Sequence, residues 1–155
     1  MALTYGFSSA RSLYEKLQRD AEALKEEVNS DRFFNFVVTG YSLIDWVKKD
    51  PLVPPKAKTA VEKLYGNRWI KVCKDLATAS KHFSVTKYTD KVITLSATSE
   101  QGFGRGRFGR GGFGVGEERI EGKLTKNSSF NCLDLVNDVM NTWDNFFSSH
   151  GICKS

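Results

Sequence analysis

Apolar residues return at Ala10, Leu13, Leu17, Ala21, Leu24 and Val28. Spacings of three and four put them on one stripe of a helix over residues 9–28, the other face being a solvated mixture of Arg, Glu, Lys and Asp. Ser12 followed by Glu15 has the form of a capping box near its start. A second helix is expected over residues 31–49, stopping before Asp50-Pro51 because a residue preceding proline avoids the helical region. It is apolar almost all round, with Phe33, Phe34, Phe36, Val37, Val38, Tyr41, Leu43, Ile44, Trp46 and Val47, so it belongs at the centre of the molecule. One polar line remains on it, Asn35, Thr39, Ser42, Asp45 and Lys49. A carboxylate in that setting, Asp45, calls for a lysine partner or for exposure near the helix end.

After a proline-marked turn, Pro55 suits the first turn of a short helix to residue 64, facing Ala57, Ala60, Val61 and Leu64 inward. Residues 67–83 form the segment around which the rest is arranged. Trp69, Cys73, Leu76 and Phe83, with small Ser80, make one helical stripe, and Lys71, Lys74, Asp75, Thr78, Lys81 and His82 stand opposite. Asp75, Thr78 and His82 form a single polar line two turns long. Residues 91–98 and 118–125 alternate or are rich in β-branched side chains and read as two strands of a long hairpin, Ile120 and Leu124 facing inward in the second. The last helix is expected to begin near residues 127–129 and to continue to Phe147, on a stripe of Cys132, Val136, Val139, Trp143 and Phe146, with a frayed tail from Ser148. The sum is a mainly α fold: one domain, a bundle of four main helices plus a short helix, with a β-hairpin inserted before the last helix.

Composition narrows the class. A chain of 155 residues with 40% hydrophobic content can bury a core. The longest apolar-rich stretch is too short and too polar to span a bilayer, and the N-terminus lacks the basic start and apolar run of a signal peptide. Cys73, Cys132 and Cys153 have no CxxC spacing, and Cys73 and Cys132 lie on apolar helix faces where a thiol behaves as a small hydrophobe, so a reduced cytoplasmic protein without a zinc site is expected. The net charge of +5 is modest, but the bases dominate between Lys56 and Arg110, a distribution that suits a polyanionic partner and also many ordinary soluble domains.

Metal, nucleophile and phosphate-loop motifs are missing, and no cofactor is expected. Residues 102–116 contain GxGxxG-like spacings only because glycine is abundant there. They hold instead the chain's one internal repeat: Phe103, Phe108 and Phe113 recur with a period of five, interleaved with Arg105, Arg107 and Arg110. Arginine pairs with phosphates and stacks on bases, and phenylalanine offers a stacking platform, so such a loop can adapt to single-stranded RNA. It resembles a short RGG box of RNA-binding proteins. The plain alternative is a hairpin tip kept soluble by arginine.

The segment DLATASKH, Asp75 to His82, in a helical bundle resembles the HEPN superfamily and related uncharacterised bacterial helical proteins. That resemblance implies a helical fold, frequent dimers, a place in toxin–antitoxin or phage-defence systems and, in active members, metal-independent ribonuclease chemistry. The family signature is an arginine, four to six residues, then a histidine. Here the positions before His82 that should hold arginine are Asp75, Leu76 and Ala77, and those before His150 are Trp143, Asp144 and Asn145. Only His82 carries over as a general base, with Lys81 or Lys74 supplying charge in place of the arginine and Asp75 completing the candidate set. A histidine in the last helical turn also simply suits the negative end of the helix dipole.

Three readings follow. The first is a non-catalytic module that binds RNA or a protein partner through Lys71, Lys74 and the arginine repeat. The second is a ribonuclease centred on His82. The third is a structural module that forms a homodimer through exposed hydrophobic helix surface. The first is preferred, and none involves a membrane.

Overall fold

The computed structural model describes residues 6–82, 92–99, 118–124 and 128–152. Helix α1 spans Ala10–Glu26 and α2 spans Ser30–Lys49. The expected stripe on α1 is buried throughout, from Ala10 to Val28. Its capping box sits three residues earlier than expected: Ser9 is extended, the Ser12 N–H donates to Ser9 Oγ (3.2 Å) and the Ser9 N–H donates to Ser12 Oγ (3.0 Å). Glu15 is left to pair with Arg11 one turn back. The helix ends where Glu27 turns extended, and Asn29 then caps α2 by accepting the Arg32 N–H.

Helix α2 takes the central place its composition calls for, packing on α1, on α3 (Pro55–Val61), on α4 (Arg68–His82) and on α5 (Cys132–Ser149). Not all of its apolar girdle is covered, since Phe34 is half exposed. Its polar line divides. Asp45 is exposed and pairs with Lys49 at 3.1 Å, while Thr39 is buried between α1 and α2, where its hydroxyl donates to Asp20 and accepts from Lys16. The short helix α3 tightens after Val61 into a 3-10 turn, Glu62–Gly66, with Ala57 and Val61 buried as the spacing predicts.

Among the described residues three strands follow α4: β1 (Val92–Ser99), β2 (Glu118–Leu124) and β3 (Ser129–Asn131), antiparallel in the order β1-β2-β3. The hairpin is present with β2 alternating as expected, Ile120, Gly122 and Leu124 buried. The third strand was not expected. Because residues 129–131 pair with β2, α5 begins at Cys132 with Asn131 as its cap, later than the expected start. At the other end α5 is not frayed at Ser148. It runs to Ser149, and Ile152 beyond it is buried, its carbonyl accepting from Arg11.

Trp143, fully buried, marks the middle of the core. Its indole N–H donates to the Gly40 carbonyl (3.2 Å) and its ring meets the edges of Phe146 and Phe147. Tyr14 stacks on Phe147 at 4.1 Å and its hydroxyl donates to Asp144, tying α1 to α5. Among the described residues no helix is long and apolar enough to cross a membrane.

Candidate binding surface

Helix α4 buries a wider arc than one stripe. Ile70, Val72 and Cys73 are buried, Trp69, Leu76 and Ala77 are half-buried against the core, and Asp75 is 4% exposed. The helix is held between α2 on one side and α5 and β1 on the others, which pulls both flanks of the expected stripe inside. The polar line is therefore not a solvated row, since Asp75 is buried and engaged. Thr78 donates to the Lys74 carbonyl at 2.8 Å. Lys71, engaged, and Lys74 are half-buried, and Lys81 is exposed. The side chain of His82 lies outside the described residues, as do Phe103, Arg105, Arg107, Phe108, Arg110 and Phe113.

The structure does describe the two ends between which the repeat runs. Ser99 pairs with Glu118, the last rung of the hairpin, so the chain leaves and returns at one place. That place is fastened to the bundle. The Glu118 N–H donates to the Val28 carbonyl (2.8 Å), and the Glu118 carboxylate accepts from the N–H and the hydroxyl of Ser30, at the positive end of α2.

A second feature was hidden in the sequence. A cleft of about 370 Å³ opens between the first turn of α4 and the start of α5. Asn67 sets up its near wall by accepting the Trp69 and Ile70 N–H groups, which fixes the first turn of α4. The Arg68 guanidinium then lies 5.0 Å from the centre of the Trp69 ring and donates to Ser128 Oγ at 2.8 Å. Phe130 meets Trp69 edge-on at 5.9 Å, and Asp134 and Asp138 line the far wall on α5. Trp69 reads as core in the sequence, and Arg68 stands out only as a basic residue beside it after a capping asparagine. Arg68, Asp134 and Asp138 line the same cleft, one positive charge with two negative ones, which disfavours a polyanion there.

Arg68 is bonded beside the Leu124 end of β2, where the Leu124 N–H donates to Ser128, whereas the repeat departs at the Glu118 end. Six residue steps along β2, about 20 Å, separate these points.

Burial pushes the thiols of Cys73 and Cys132 up to about 12, leaving them protonated and unreactive near neutral pH. The ring nitrogen Nδ1 of His150 is 2.9 Å from the Phe146 carbonyl at the end of α5, a capping position. Among the described residues no three His, Cys, Asp or Glu side chains gather into a metal site. Compared with known proteins, this chain matches no family profile, no curated protein and no solved structure.

Proposed function

We propose that this chain is a non-catalytic binding module for single-stranded RNA that works through the arginines and phenylalanines of the residue 103–113 repeat. The observation that carries this reading is the pairing of Ser99 with Glu118 and the fastening of Glu118 to the α1–α2 turn. A glycine-rich segment loses much conformational entropy when it orders on a ligand, and fixing both ends in advance lowers that cost. The repeat provides phosphate donors and stacking faces at regular intervals. Lys74 and Lys81 on the outer side of α4 add sequence-independent attraction. The Arg68–Trp69 cleft is not the main site in this reading, because Asp134 and Asp138 oppose a phosphate there.

Incubating labelled single-stranded RNA with the wild type, with Arg105→Ala/Arg107→Ala/Arg110→Ala and with His82→Ala tests the proposal. Expected is intact RNA, retained by the wild type and by the His82 variant and lost by the triple variant. Cleavage that disappears with His82 would replace this reading with the ribonuclease. Absence of both binding and cleavage would turn the search to a protein partner.

A further inference from the structure

The cleft between the first turn of α4 and the start of α5 takes no part in the proposed RNA binding, and its chemistry is of another kind. At about 370 Å³ it lies at the lower end of the range for small-molecule sites, about 300–1,000 Å³. Its charges are divided between two walls. Arg68 stands on α4, while Asp134 and Asp138 stand one turn apart on the same face of α5.

These opposite charges do not meet. Arg68 is drawn aside, its guanidinium 5.0 Å from the centre of the Trp69 ring and donating to Ser128 Oγ at 2.8 Å. Trp69 is itself braced by the edge of Phe130. The Ser128 bond uses one of five guanidinium N–H groups. Asp134 accepts the Asn131 side-chain amide at 2.7 Å through Oδ2. Among the described residues no ion pair joins Arg68 to either carboxylate, and none bonds to the half-buried carboxylate of Asp138. One cation and two anions that line a cleft without neutralising each other match a ligand with the converse set, one anion and two cations.

We propose that this cleft binds a free dibasic amino acid, such as arginine or lysine. The ligand's α-carboxylate pairs with Arg68, whose planar fork suits a carboxylate. Its α-ammonium and its side-chain cation take Asp134 and Asp138, one each. The methylene chain between them lies along the Trp69 and Phe130 side of the cleft. Ligands of other charge fit less well. A plain diamine leaves Arg68 facing a cation, a neutral amino acid leaves one carboxylate unpaired, and a phosphate meets two carboxylates.

Titration calorimetry of the full chain with three related probes tests this, with helical circular dichroism as the check on folding. L-arginine should bind one to one. L-citrulline keeps the shape but lacks the side-chain charge, and agmatine lacks the carboxylate. Each should bind roughly tenfold more weakly, the loss expected for one charged hydrogen-bonding contact. Arg68→Gln should weaken L-arginine while leaving agmatine no worse than before. Asp138→Asn should bring L-arginine down to the level of L-citrulline. No binding of either L-arginine or L-lysine overturns the proposal. Equal binding of the three probes, or binding indifferent to both substitutions, overturns it as well. None of these outcomes depends on RNA, which the arginine variants of the repeat test separately.

Discussion

Asp50 shows how much one side chain can join. It is buried, and its carboxylate accepts the N–H of Ala10 at 2.6 Å and the N–H of Leu52 at 2.8 Å, clamping the α2–α3 turn to the first residue of α1. Replacement by alanine strands those donors and removes a negative charge from a helix N-terminus, so Asp50→Ala should cost about 1–3 kcal/mol, read from urea denaturation. In the sequence Asp50 is legible only as the residue that stops α2 before Pro51. Its partner Ala10 is forty positions away, and no local pattern announces such a bond. Cys73 and Cys132 were legible, because a thiol on an apolar helix face is a small hydrophobe, and both are buried. They set a pH dependence. The folded state holds Cys73 and Cys132 near 12 against an ordinary value near 9, and burial together with the Asp144 carboxylate also raises Tyr14 above its ordinary 10. Groups raised on folding stabilise fully below their unfolded values, so stability should hold up to about pH 9 and fall as pH rises toward 12. Denaturation midpoints measured from neutral to alkaline pH check this, and Cys73→Ala/Cys132→Ala should flatten the decline.

At the scale of elements, long amphipathic helices were read with their register, and the short strand β3 was not. Ser129, Phe130 and Asn131 carry the residues of a helix cap, and Asn131 does serve as one. What makes the three residues a strand is Gly122, their partner in β2: Phe130 lies so flat on it that an added Cβ would come within 2.3 Å of the ring. That complementarity belongs to two residues distant in sequence and has no periodic trace. Gly122→Ala must displace the Phe130 ring, and overpacking of this kind should cost about 1–3 kcal/mol. Since Phe130 also lines the cleft against Trp69, the same substitution should change tryptophan fluorescence. Gly40 is the contrasting case. A Cβ there would meet Val139 and Leu17 at 3.5 and 3.6 Å, ordinary contacts, within the interior of α2. Gly40→Ala should therefore stabilise by up to about 1 kcal/mol in the same denaturation assay.

For the molecule as a whole, a mainly α bundle with a hairpin before the last helix followed from the sequence because each helix buries a stripe that its own spacing defines. The candidate site did not follow as directly. One-dimensional patterns place Lys71, Lys74 and the arginine repeat in one basic middle of the chain; of these the structure describes Lys71, half-buried and engaged, and Lys74, half-buried, while residues 103–113 lie outside the described residues. Asp75 reads as surface because its spacing matches Thr78 and His82, and it is buried because α4 is packed from several sides. The central claim, RNA binding through the repeat, is tested most directly by the salt dependence of RNA affinity, wild type against Arg105→Ala/Arg107→Ala/Arg110→Ala. Each phosphate contact on a single strand contributes roughly 0.7 to the slope of log affinity against log salt. The account predicts a steep slope for the wild type, about 2 shallower in the triple variant, with weaker binding at every salt concentration. Equal slopes and equal affinities would contradict it.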